Sequence, residues 1–211
     1  MASAIIHLAI ANEINRRIKH DKDKILIGSI APDIAKKIGR EKITSHFLNE
    51  IGNNVPNMDK FLAKYKEYLN DDFVLGYFIH LYTDYLWFKY FLPEVFDEDK
   101  EYITKLDGTR VKCTDNMFCQ YIYNDYTNLN TELIHAYKLD LGVFYRKLPE
   151  IENIIQEIPM DKLQIIVDDT KDIIENAHTK KEFIFKLENI KRFIKTSIEL
   201  ILAELNELNI K

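Results

Sequence analysis

Apolar residues recur along this chain at helical spacing. Ala4, His7, Ala11, Ile14 and Ile18 fall on one stripe and Ser3 stands where a cap belongs, so residues 3 to 20 are predicted as a first helix with His7 turned inward. A charged turn, His20-Asp21-Lys22-Asp23-Lys24, leads into ILIGSIAPDI, where Gly28 and Pro32 punctuate the apolar run and predict a partly buried loop carrying Asp33. A short helix is expected at Thr44-Ser45-His46-Phe47, and Pro56 suits the first turn of another that reaches Leu69. Asp71 and Asp72 are the expected caps of a long helix running to about Phe91 and stopped by Pro93. It is the most hydrophobic helix and the expected centre of the fold. Gly76 stands one turn before His80 on its face, where the missing side chain lets a backbone or a bound group come close.

Residues 97 to 112 read as irregular, with a turn at Asp107-Gly108, and helix resumes from about Thr114 to Leu139. From about Asp161 two helices form a C-terminal hairpin, the second marked by Leu187, Ile190, Ile194, Ile198, Ile201, Leu205 and Leu208. That heptad run is short, so the seam is expected to pack on the chain's own bundle rather than on a coiled-coil partner. With no internal repeat and no convincing alternating strand, the expectation is a single all-α domain over residues 1–211. A multi-helix bundle over 1–158 surrounds the helix bearing His80, and the hairpin over 159–211 packs on it.

Composition narrows the classes of function. Hydrophobic residues at 46%, charged residues at 30%, six glycines and five prolines in 211 residues describe a globular, helix-rich chain with one sizeable core. A net charge of −5 argues against duplex nucleic acid as a partner, because such binding depends on neutralising phosphates, but it leaves room for an anion held by metal ions. Cys113 and Cys119 are too few for a disulfide framework or a cysteine zinc site and read as reduced thiols. The opening MASAIIHLAIANEINRR lacks a basic leading region and is broken by His7, Asn12 and Glu13, so it is not read as a signal peptide. No apolar run reaches the roughly 18 to 20 residues a membrane span needs, and a cytoplasmic location is expected.

The chemistry gathers in the first half of the chain, where Asp33, His46, His80 and Asp84 form an Asp…His…HxxxD series with His7 upstream. His80 and Asp84 lie at i, i+4 and leave one helix face together. Their surroundings, GYFIHLYTDYLW, are apolar and aromatic, so burying them unpaired is costly and a cation is one way to offset that cost. Imidazole nitrogens with carboxylate oxygens suit zinc and other borderline divalent ions. Two carboxylates bring such a site near neutrality, and the ion still acidifies a bound water enough to give hydroxide near pH 7. Each residue also has an ordinary alternative: a buried His80–Asp84 hydrogen-bonded pair, a core histidine at His7, a helix cap at Asp33.

The segments MASAIIHLAIANEI, IGSIAPDI, SHF and GYFIHLYTDYLW resemble the zinc-dependent phospholipase C family, whose superfamily includes the single-strand-specific zinc nucleases. The resemblance covers roughly residues 1 to 90 and implies an all-helical bundle whose metal cluster cleaves phosphate esters. It implies that Asp33, His46, His80 and Asp84 hold one ion, that His7 holds a second, and that Asp84 bridges them. In that family the N-terminal amine joins the second ion, so loss of Met1 would put the Ala2 amine near His7. The pattern fails after Asp84: Tyr90 stands where a histidine is expected and His135 is followed four residues later by Leu139, which leaves a third metal position without ligands. Asp125, Glu132 and His135 are candidate substitutes, each with an exposed helix position as its alternative.

The resulting expectation is a phospholipase C-like, metal-dependent hydrolase of phosphate esters using a metal-bound hydroxide, with Asp33 as candidate general base. Two divalent ions are expected, zinc first, with Fe, Mn or Ni as alternatives. The expected substrate is a small phosphate ester or a phospholipid headgroup. Tyr77, Tyr82, Tyr85 and Trp87 are candidates for its apolar wall or for core, and Lys36, Lys37 and Arg40 for phosphate attraction or a polar face. The rival from another class is a non-catalytic helical scaffold with at most one structural ion. A rival enzyme, an HD-type phosphohydrolase, needs an adjacent His-Asp pair among its metal ligands, and the absence of one from the ligand series counts heavily against it. His20 and His178 both read as solvated.

Overall fold

The computed structural model describes residues 1–95, 101–113, 115–179 and 184–210. The first helix, α1 (Ala4–Ile18), starts where the side chain of Ser3 accepts from the Ile6 amide and ends at Lys19, whose φ of 61° turns the chain out of the helix. The segment expected as a buried loop is instead largely helical. Asp21 caps α2 (Lys22–Gly28), so Ile25, Leu26 and Ile27 are fully buried on a helix, and only then does a 3-10 turn (Ala31–Asp33) lead into the short α3 (Ile34–Lys37). Residues 44–47 reverse the other way. They form consecutive turns rather than a helix, with the His46 amide donating to the Lys42 carbonyl at 2.9 Å and Phe47 at φ 53°.

Asn57, not Pro56, opens the next helix, α4 (Met58–Tyr65), which a 3-10 turn extends to Tyr68. The central helix α5 (Asp72–Leu86) has Asp71 as its cap, accepting from the Phe73 and Val74 amides. It passes into a π turn (Trp87–Phe91) and a 3-10 turn that contains Pro93. A small antiparallel hairpin, β1 (Tyr102–Thr104) with β2 (Arg110–Lys112), replaces the irregular stretch, and Gly108 at φ 84° makes its turn. Then come α6 (Asp115–Ala136), α7 (Leu163–Glu175) and α8 (Leu187–Glu207). The expected helix start at Thr114, and residues 97 to 100, lie outside the described residues, as does the side chain of Cys119.

The architecture is predominantly all-α, and α5 lies at its centre, in contact with α1, α2, α4 and α8. The contact of α2 with α5 is the most extensive and depends on glycine from both sides. A Cβ on Gly76 would come within 2.3 Å of the Ile25 carbonyl oxygen, and one on Gly28 within 2.2 Å of the Phe73 carbonyl oxygen. Backbones this close leave no room for any side chain. On the other flank, α8 buries Ile190, Phe193, Ile194, Ile198, Ile201 and Leu205 against the rest of the chain, as its three-four spacing predicts, while α7 packs on α1 and α3. No described helix is long and apolar enough to cross a membrane.

Candidate metal centre

Four segments bring the predicted residues together. α1 carries His7, the 3-10 turn carries Asp33, the turns before α4 carry His46, and α5 carries His80 and Asp84. His7, His46, His80 and Asp84 are at most 1% exposed, and Asp33, with 16% of its side chain exposed, is the member nearest solvent. The Nε2 atoms of His46 and His80 lie 3.3 Å apart, and Asp33 Oδ1 is 3.4 Å from the first and 4.0 Å from the second. Asp84 Oδ2 is 3.7 Å from His46 Nε2 and 3.8 Å from His80 Nε2. Ligand atoms around a tetrahedral ion at the usual zinc distances sit about 3.3 Å from one another, and the spacings among Asp33, His46 and His80 are those of part of such a shell, slightly expanded.

The two oxygens of Asp84 face different partners. Oδ2 turns to His46 and His80, whereas Oδ1 accepts from the Ala2 amide at 2.9 Å and lies 3.4 Å from His7 Nε2. The rings of His7 and His80 stack at 3.8 Å between centroids, so His80 stands between two ligand groups: His7 with Asp84 on one side, Asp33 with His46 on the other. His7 Nε2, Asp33 Oδ1 and Asp84 Oδ2 are all buried without a hydrogen bond. Buried polar atoms are nearly always satisfied, and orphans of this kind in each of two adjoining ligand groups are the arrangement bound cations resolve. The residues present therefore fit a divalent ion by their own chemistry.

The surroundings set the ligands in the form that binds metal. Ser29 offers a carbonyl oxygen 2.8 Å from His80 Nδ1; a carbonyl only accepts, so Nδ1 carries the proton and the Nε2 lone pair points into the centre. Ser45 Oγ lies 3.0 Å from His46 Nδ1 and orients that ring in the same way. Tyr77, one turn ahead of His80, donates its hydroxyl to the Ser45 carbonyl at 2.5 Å and pins the turn that bears His46. Burial, reinforced by His7, pushes the His80 imidazole down to about 3, so it is neutral at pH 7. Burial alone would raise Asp33, yet His46, His80 and His7 around it hold it at about 2. Asp84 also stays well below the carboxylate range, because the Met1 amino group, His7 and His80 outweigh its burial.

Other candidates lie elsewhere. Asp125 is neither ligand nor exposed: fully buried, it accepts from the Ile184 and Phe185 amides at 2.7 and 2.9 Å and anchors that segment. Glu132 and His135 are exposed. His20 is not simply solvated, since its Nδ1 lies 2.6 Å from Asp72 Oδ1, and Asp21 is the cap of α2, so the adjacent His-Asp pair is committed to helix ends. Asp33 caps nothing, as its side chain makes no cap hydrogen bond to α3. Tyr77 and Trp87 are fully buried, while Tyr82 and Tyr85 line a separate groove of about 450 Å³ with Tyr90 and Phe193.

Beside Asp33 the surface opens. A cavity of about 210 Å³ is lined by Asp33, Met1, Ala2, Lys36, Tyr123 and Tyr126, and a larger one of about 800 Å³ shares Met1, Lys36, Tyr123 and Tyr126 and extends to Arg40, Lys42 and Phe88. Lys42 went unnoticed in the sequence. Burial lowers its ammonium from the usual lysine range, Asp84 and Asp33 pull it back up, and its Nζ sits 5.1 Å from the Phe88 ring centroid. Its only sequence signal is its place four residues before His46. Compared with protein-family models, with curated proteins and with solved structures, the chain matches none.

Proposed function

We propose that this chain is a metal-dependent hydrolase of phosphate esters, resembling phospholipase C in its ligand order. The observation that carries the reading is the convergence of three unpartnered buried ligand atoms, on His7, Asp33 and Asp84, around His80 and beside an open cavity. Asp33, His46, His80 and Asp84 would hold one divalent ion, and His7 with the other oxygen of Asp84 a second. Zinc suits this nitrogen and oxygen donor set, with Fe, Mn or Ni as alternatives. When bound, such ions acidify water and offset charge developing on phosphoryl oxygens.

The chain's own residues supply the rest. Ser29 and Ser45 fix the two imidazoles, and Tyr77 holds the turn between them in place. Asp33, the ligand nearest solvent and a lining residue of the cavity, would be the group to accept a proton from an attacking water. His7 and His80, without exposure, keep bulk water from the inner side of the centre. The scaffold reading draws on the same burial, since an ion enclosed on that side could serve structure alone. Elemental analysis of the purified protein and of His80→Ala, followed by assays on phosphodiesters, phosphomonoesters and short-chain phospholipids, separates the two. Bound metal with turnover that His80→Ala abolishes is expected; metal without turnover on any substrate would leave the scaffold, and absence of metal would sink the hydrolase.

A further inference from the structure

The larger cavity has a charge that a simple phosphodiester does not use. Among the described residues lining it, Lys36, Arg40 and Lys42 bring three cations and Glu41 the one carboxylate. Neither Arg40 nor Lys42 has an ion pair among the described residues. Lys36 donates to the Tyr123 hydroxyl at 2.8 Å, which aims its ammonium along the cavity wall. Lys42 is partly buried, and the carboxylates that balance it are Asp84 and Asp33. Those same carboxylates are the expected metal ligands. Two divalent ions would bring four positive charges to two carboxylates, so the loaded centre no longer offers Lys42 a counter-charge and adds to the positive field of the cavity. A phosphodiester brings one negative charge to the ions and leaves Arg40 and Lys42 without a counter-charge from the substrate.

We propose that Lys42, Arg40 and Lys36 bind a second anionic group of the substrate, so that the preferred phosphate ester is a polyanion rather than one bearing a zwitterionic headgroup. Resting on the hydrolase reading for events at the ions, this binding subsite depends on the three side chains themselves. The cavity of about 800 Å³ has room for the second group, and the faces of Tyr123, Tyr126 and Phe88 bound the body that links the two.

The test uses a matched pair of ligands that differ by one phosphate, thymidine 5′-monophosphate and thymidine 3′,5′-bisphosphate, titrated by calorimetry into the zinc-loaded protein. A ratio of dissociation constants above about tenfold in favour of the bisphosphate, or about 1.4 kcal/mol, is expected for the wild type. Lys42→Gln should bring that ratio toward one. So should Arg40→Gln, a change at an exposed position that leaves the core untouched. Equal affinities in the wild type, or a ratio unaffected by both substitutions, would overturn the subsite. The p-nitrophenyl 5′-esters of the same two nucleotides provide the second arm. Selective binding without turnover of either ester would retain the subsite and remove the hydrolase, whereas turnover without selectivity would do the reverse.

Discussion

At the scale of single residues, the centre is held ready by partners outside the ligand set. The Ser29 carbonyl fixes the tautomer of His80 and burial keeps its ring neutral, so no proton has to leave before an ion is bound. This has a cost in acid. His80 titrates near 6.5 in an unfolded chain and about 3 in the fold, so its contribution is whole above pH 6.5 and is lost as pH falls from there toward 3. Asp33, depressed to about 2, acts with the same sign at lower pH. Metal-free protein is therefore expected to melt at steadily lower temperature between pH 6.5 and 4, and His80→Gln to flatten that slope; a parallel slope in the variant would show that another group is responsible. Asp84→Asn should weaken zinc binding at least tenfold, read by competition with a chelating dye, because it removes the charge that faces both ligand groups. His7, His80 and Asp84 were legible in the sequence because polar groups on apolar helices demand a partner, while Asp33 and His46 joined them through the order of the series and the resemblance it carries. Ser29, Lys42 and the anchoring role of Asp125 were not, since each acts through a contact with a distant segment that spacing along the chain does not encode.

At the scale of elements, the site depends on how closely two helices cross. Gly28 and Gly76 let α2 and α5 meet backbone to backbone, which carries the Ser29 carbonyl, one residue past α2, to the ring of His80, one turn past Gly76. Gly76→Ala would drive a methyl group to 2.3 Å from the Ile25 carbonyl oxygen. It should cost on the order of 3 kcal/mol, the upper range for overpacking, and lower zinc affinity as well by parting Ser29 from His80. Gly39→Ala, at φ 69° with open space around it, is the comparison: strained by about 1 kcal/mol but without effect on metal. Urea unfolding and zinc titration of both variants check this, and equal affinities would detach the crossing from the site. The glycine at 76 had announced a close approach, but Gly28 and Pro32 also suggested a loop where the chain is helical as far as Gly28. There the glycine serves the crossing and ends the helix only incidentally. Residues 44–47 misled in the opposite sense, because the Tyr77 hydroxyl and the positive φ of Phe47 impose a turn that local propensity does not specify.

At the scale of the whole molecule, the proposed metal binding would be linked to folding in one equilibrium. The centre joins α1, the turns before and after α3, and α5, segments far apart in sequence that meet only in the fold, so an ion held there binds the folded chain and not the unfolded one. Zinc at about a thousand times its dissociation constant stabilises by about 4 kcal/mol, which for a chain of this length raises the melting temperature by roughly 8 to 16 °C. The two ligand groups give this a finer signature. His7 belongs to one group only, and its ring and the Asp84 Oδ1 it faces lie on the side away from His46. His7→Ala should therefore reduce zinc from two ions to one per chain by mass spectrometry under native conditions and remove part of the thermal gain, while His80→Ala, which disturbs both groups, should remove nearly all of it. Identical stoichiometry in the two variants would mean that the five side chains form a single position, and a melting temperature indifferent to zinc and to chelator would mean that the buried histidines and carboxylates serve packing alone.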